Sequence, residues 1–257
     1  MNTSKYLIQI FVFTAAFYIT GCSSSGPSIN TDDPQKAFEI AKRKFDRGDY
    51  VDAIEDFSFM KIRFPGTEIS DKVQFYLAES YFRQKEYLLS AYEYDNLLRN
   101  FPLSQLYPDA KFKLGLSYYE LSPKYPLDQG YTQDALNELL VFLELYPEDK
   151  NAPEAEKKIK ELRNKLAYKN FRTGEIYLKN DNNKAAALYF QSVYEDYIDS
   201  DWADDSMVGE AEALINGKKY DRAKEVLEKF YKLFPKSDQK SKADRLLSRL
   251  KEFQTSK

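Results

Sequence analysis

One pattern limits what this chain can fold into more than any other: it repeats itself at a spacing of 37 residues. Four segments close alike, as "MKIRFPGTE", "NLLRNFPLS", "VFLELYPED" and "KFYKLFPKS". Each places an aromatic residue before Pro65, Pro102, Pro147 or Pro235. Upstream a small residue recurs as Ala41, Ala78, Gly115, Gly174 and Ala211; the first three are 37 apart, as are the last two. Self-similarity at such a period means a stack of like units, each burying its apolar face on its neighbour.

The periodicity inside a unit is helical. "PQKAFEIAKRKFDRG" carries Ala37, Ile40, Ala41, Lys44 and Phe45 at spacings of three and four. Asp33 then Pro34 reads as an N-cap with proline at the first helical position. Gly48 offers a left-handed turn. "YVDAIEDFSFMKIRF" is a second helix with Ala53, Phe57 and Met60 inward, and Pro65, lacking an amide donor, stops it. A tyrosine opening the second helix, a small residue three later and an aromatic four beyond (Tyr87, Ser90, Tyr94) resemble the tetratricopeptide (TPR) pattern. The expected fold is all-α: a TPR-like helical-hairpin solenoid of five units with a C-terminal capping helix, "KSKADRLLSRLKEF".

Three stretches break the repeat. In the third unit eight extra residues fall in "LSPKYPLDQGYTQ", a loop between the two helices that is either a tolerated surface insertion or a binding edge. Residues 153 onward then read as one long helix bearing Ile159, Leu162 and Leu166, with about 14 residues that the repeat does not account for. The fourth unit ends in "EDYIDSDW", without the proline.

The N-terminus reads as an address. Lys5 precedes "YLIQIFVFTAAFYIT", too short for a membrane span, which needs about 20 apolar residues. It ends in Ile19-Thr20-Gly21-Cys22, which resembles the lipobox of bacterial lipoproteins. That resemblance implies cleavage before Cys22 and acylation of its sulfur and new amino terminus, a stable membrane anchor because several chains share the load. Ser23 in place of an acidic residue fits outer-membrane sorting, on the periplasmic face, and "SSSGPSINTDD" reads as a flexible polar tether. The expected division is residues 1–21 signal peptide, 22–33 lipidated N-terminus and tether, 34–152 units one to three, and 153–257 the long linking helix, units four and five and the cap.

Composition removes whole classes of function. The chain has no histidine, and Cys22 is its single cysteine, so Ser-His and Cys-His nucleophiles, a disulfide framework and Cys-rich zinc sites are all excluded. With 38 basic and 41 acidic residues it carries no basic excess for nucleic acid. The acid pairs Asp32/Asp33 and Asp204/Asp205 sit at helix starts, where carboxylates suit the dipole. No enzyme activity, cofactor or metal is expected.

Superposing the units yields two aromatic ladders on the first helices. Phe38, Phe75, Phe112 and Phe171 stand three residues before the small residue; Phe45, Phe82, Tyr119 and Leu178 stand four after it. Two readings stay open. The rings either pack first helices together, or line a groove for a partner peptide rimmed by Lys42, Glu79, Arg83 and Glu120.

Taken together, the lipobox, five TPR-like units with "FP" or "YP" ends and the long helix resemble the BamD-like family of outer-membrane assembly lipoproteins, across nearly the whole mature chain. The resemblance implies an adaptor that docks the POTRA region of a BamA-like barrel subunit through its C-terminal repeats and meets unfolded outer-membrane proteins through its N-terminal ones. Other lipoproteins of the β-barrel assembly machinery are further candidate partners. The alternatives are a TPR lipoprotein scaffold for another envelope task (Tol-Pal or division, pilus assembly, peptidoglycan enzyme recruitment), an envelope hydrolase, and a nutrient-binding lipoprotein of the SusD type, whose members are about twice this length.

Overall fold

A computed structural model describes residues 26–255. The expected signal segment and Cys22 lie outside the described residues. Among those described there are eleven helices and no strand. They run α1 (Pro34–Arg47), α2 (Tyr50–Arg63), α3 (Ser70–Arg83), α4 (Tyr87–Asn100), α5 (Tyr107–Leu121), α6 (Gly130–Leu145), α7 (Ala152–Lys179), α8 (Asn183–Asp196), α9 (Ala203–Asn216), α10 (Tyr220–Leu233) and α11 (Lys240–Thr255). Odd and even helices pair into five hairpins, and α11 covers the last one. Neighbours in sequence pack together throughout, and first helices touch across units, α1 on α3, α5 on α7 and α7 on α9.

The turn inside a hairpin needs one residue in the left-handed region. Gly48 fills it at φ +87°. In the second, fourth and fifth hairpins Lys85, Asp181 and Lys218 adopt φ of 64°, 56° and 58° at the matching place. Residues other than glycine are strained there, so the turn is imposed by the packing of the helices on either side. The third hairpin replaces this turn with the insertion.

Between units, the aromatic residue before proline leaves the helix and packs back. Phe64, Phe101, Tyr146 and Phe234 cap α2, α4, α6 and α10 with φ between −122° and −135° and ψ between 51° and 60°. Proline disfavours helical geometry in the residue ahead of it. Tyr197 ends α8 in the same conformation, φ −134° and ψ 50°, with no proline behind it. The aromatic residue is therefore the essential part of the unit end: each ring lies against a core cluster.

The small residues mark close helix crossings. Ala41, Ala78 and Ala211 are fully buried. A β-carbon on Gly115 would fall 2.7 Å from Leu139 Cδ2 on α6. The long helix α7 has 28 residues where α1, α3 and α9 have 14. Its start follows the α5 start by the repeat plus the eight-residue insertion, and the surplus of 14 residues is one further first-helix length. Fourteen residues make nearly four full turns, so both halves show an apolar face to nearly the same side. Ala155, Ile159, Leu162 and Leu166 pack with α5 and α6. Phe171, Tyr177 and Leu178 pack with α8 and α9. One helix thus serves as neighbour to the third hairpin and as first helix of the fourth.

The tether is held well before α1 begins. The Ser28 backbone N–H donates to Asp56 Oδ1 at 2.8 Å and its hydroxyl to Oδ2 at 3.1 Å. Asp56 is wholly buried and pairs with Lys44 Nζ at 2.8 Å. Ile29 joins the first core cluster, and Asp32 pairs with Arg63 at 2.9 Å. The polar composition of this stretch points to a flexible tether; from Ser28 onward it is docked, because a buried carboxylate needs donors and finds them there.

Candidate partner-binding groove

The two ladders differ in how deeply their rings are covered. In the first, each ring lies on an aromatic of the second helix of its own hairpin: Phe38 on Phe57 at 5.9 Å, Phe75 on Tyr94 at 5.7 Å, Phe112 on Phe142 at 5.3 Å and Phe171 on Phe190 at 5.7 Å. Phe38 and Phe112 are 9% and 2% exposed. These two rings have no surface to offer a partner; Phe75 and Phe171 remain half-buried.

In the second ladder Phe45 and Phe82 rest on Tyr50 and Tyr87 of their own hairpins at 5.5 and 5.3 Å, and the ladder also crosses from one first helix to the next, as Phe38 does to Tyr76 at 5.7 Å. Phe45 of α1 meets Tyr76 of α3 edge-on at 5.2 Å, with Lys42 4.9 Å above the tyrosine ring. Phe82 of α3 lies under Lys113 of α5 at 4.9 Å. Tyr119 of α5 lies under Lys158 of α7 at 4.0 Å. Phe45, Phe82 and Tyr119 are all half-buried. The result is a stripe across four helices in which rings alternate with cations, each pair contributing about 0.5–1 kcal/mol at such exposure. Leu178 continues the register into the next core cluster.

A buried ion cluster fixes the stripe at its centre. Glu79 is 6% exposed and accepts from the Tyr94 hydroxyl and from Lys113 Nζ at 2.9 Å, with Arg83 Nε 3.8 Å away. Glu79 is therefore a support beneath the stripe, where its charged side chain reads in sequence as part of the rim. Burial, then the Glu79 charge, push the Tyr94 phenol well above its usual range, so it stays a donor. Arg83 is exposed at the rim. Tyr119 donates to Glu161, and burial followed by that bond raises its pKa as well. Lys113 and Lys158 escape a reading by ladders of aromatics alone. Lys113 stands 37 residues after Tyr76, and Lys158 a further 45, the repeat plus the eight-residue insertion, so all three share one helix position and the signal is present in the repeat.

A second concavity lies at the other end. A cleft of about 250 Å³ between α8, α9 and α10 is floored by Ala187, Leu188 and Leu214 and edged by Lys184, Lys219 and Arg222. Among the described residues no cluster of three or more acidic, histidine or cysteine side chains could hold a metal ion, and no helix is long and apolar enough to cross a membrane.

Comparison with known proteins adds the family. The model of the YfiO outer membrane lipoprotein family matches residues 30–212. The chain belongs to this family. A tetratricopeptide-repeat model matches residues 205–237, the α9–α10 hairpin. Among YfiO-like relatives, the outer membrane protein assembly factor BamD of Caulobacter vibrioides is 24% identical over 73% of this chain and 63% of its own length. The BamD of Vibrio cholerae is 23% identical over 75% of this chain and 84% of that one. The chain thus spans less than two thirds of the Caulobacter relative. A tetratricopeptide repeat protein from Parabacteroides merdae aligns over 85% of this chain and 92% of its own, with TM-score 0.39 and 16% identity.

Proposed function

We propose that this chain is a non-enzymatic, lipid-anchored adaptor that helps assemble outer-membrane proteins from the periplasmic face of the outer membrane. The anchor is Cys22. Units four and five dock the POTRA region of a BamA-like subunit, for which the α8–α10 cleft edged by Lys184 and Lys219 is the candidate surface. Units one to three receive unfolded substrate.

The observation that carries this reading is the stripe of Phe45, Phe82 and Tyr119, each under or beside a cation. Unfolded outer-membrane proteins end in an aromatic-rich strand with a terminal carboxylate. Rings offer such a segment stacking partners, and exposed Arg83 at the rim offers it counter-charge. The relatives' name, outer membrane protein assembly factor, supports the same role.

Photocrosslinking in intact membranes tests it, with the reactive group placed at Arg83 and, separately, at Lys184. Unfolded outer-membrane proteins are expected from position 83 and a BamA-like protein from position 184. Capture of Tol-Pal, division or peptidoglycan proteins at both positions would replace this reading with that of a scaffold for another envelope process.

A further inference from the structure

Two loops at which the sequence departs from its repeat are far apart in the chain, at 122–129 and 197–202. In the fold they meet on the same seven residues of α7, from Arg163 to Lys169. This is also the stretch where α7 passes from one core cluster, shared with α5 and α6, to the other, shared with α8 to α11. The relative placement of the two packed bodies is therefore carried through this stretch of α7 and through whatever else braces it.

The insertion supplies one jaw. Lys165 Nζ donates to Ser122 Oγ at 2.8 Å, and Lys169 Nζ to the Leu127 carbonyl at 2.8 Å. Tyr125 packs edge-on against Tyr168 at 4.6 Å. The loop holds this shape from within: Gln129, 9% exposed, donates to the carbonyls of Lys124 and Leu127 at 3.1 and 3.0 Å.

The proline-less end of the fourth unit supplies the other jaw. Arg163 Nε donates to both carboxylate oxygens of Asp199 at 3.0 Å, and its Nη2 to the Asp196 carbonyl at 2.9 Å. Asn164 and Asp201 exchange two hydrogen bonds of 2.9 Å. Trp202 lies 4.5 Å from Tyr168, on which Tyr125 also rests. Two-oxygen recognition of a carboxylate by arginine fixes direction as well as distance.

We propose that these two irregular loops form a clamp that locks the joint between units one to three and units four and five, and so fixes the placement of the aromatic stripe relative to the α8–α10 cleft. A tight turn in place of the insertion could not carry Tyr125 and Leu127 out to α7.

The test is a distance measurement on the full chain. Spin labels carried on unnatural amino acids at positions 85 and 224, both exposed turns or helix faces, leave Cys22 untouched. The unaltered protein is expected to give one narrow distance peak. Tyr125→Ala with Asp199→Asn is expected to lose it, giving a broad or two-peaked distribution while the thermal unfolding midpoint shows a folded chain. Lys169→Ala and Asp199→Asn alone, both at partly exposed positions, are expected to broaden the peak by lesser amounts and are read in place of the double variant if that fails to fold. Lys150→Ala, which removes a surface ion pair to Asp109 at the start of α7, is expected to leave the peak unchanged. A narrow peak retained in folded clamp variants, or equal broadening in Lys150→Ala, overturns the proposal.

Discussion

Phe190 presses its ring onto the backbone of Gly174. A β-carbon on that glycine would lie 2.8 Å from ring atoms Cδ1 and Cε1, and Gly209 faces the same ring from α9 with room for no more. The ring of α8 thus fills the gap between two backbones, an approach that only the absence of side chains allows. Gly174→Ala is expected to cost about 1–3 kcal/mol by overpacking, offset by up to about 1 kcal/mol of gained helix propensity. Urea denaturation measures the net loss. Adding Phe190→Leu should recover part of it, and an additive loss in the double variant would show that the ring is not the obstacle.

Asp56→Ala should be among the most damaging single changes. It leaves Lys44, mostly buried, without its counter-ion and strips the Ser28 amide and hydroxyl of their acceptor. Removing one partner of a buried pair costs about 3 kcal/mol. The expected signs are a lower unfolding midpoint and faster proteolysis within residues 26–33. Unchanged cleavage there would mean that Ser28 is not held in solution.

Asp205 should give the chain a measurable pH dependence. Burial, followed by the charges of Asp204 and Asp238, pushes its carboxyl up to about 6 from an ordinary 3.8, against the opposing effect of Lys242. Because the folded value is the higher one, the folded state holds this proton where the unfolded chain has lost it. The contribution is complete below about pH 4 and disappears as pH rises through about 6. Asp205→Asn is expected to remove that part of the slope and to be relatively more stable at pH 7. Denaturation midpoints at half-unit steps from pH 4 to 7 measure it, and parallel curves for the two proteins would count against it.

Phe112→Ala and Phe82→Ala should separate packing from recognition. Phe112 lies in the third core cluster against Phe142, so truncation is expected to cost about 3–5 kcal/mol. Phe82 is half-buried under Lys113, and its truncation should weaken binding of an aromatic-rich peptide more than it lowers the melting temperature. Calorimetric titration with such a peptide, alongside thermal melts, reads both effects. Equal affinity for folded Phe82→Ala and the parent chain would remove the stripe as a binding surface.

Much of the architecture is written in the linear pattern. The 37-residue spacing, the aromatic-proline ends and the run from residue 153 mark the five hairpins and the long helix, and Asp33 caps α1 through the amides of Gln35 and Lys36 as its position implies. The 14 surplus residues of α7 are visible as a number in the sequence. Their meaning is not, since only the packed structure shows a helix used twice.

The aromatic ladders show where the linear pattern stops. Phe38 and Phe45 are seven residues apart, two turns of one helix, and so point almost the same way. Periodicity therefore treats them alike. What separates them is enclosure: Phe38 is shut in between Phe57 of α2 and Tyr76 of α3, while about 10 Å further on Phe45 touches Tyr50 and Tyr76 but stays half-buried beside Lys42. The sequence by itself determined the elements, their number and the face each one buries, because those depend on local spacing. Which ring is core, which is surface, and that two irregular loops close on one segment of α7 were decided only by tertiary packing. Those facts depend on what a neighbouring helix places opposite a given turn, and spacing within one helix carries no record of that.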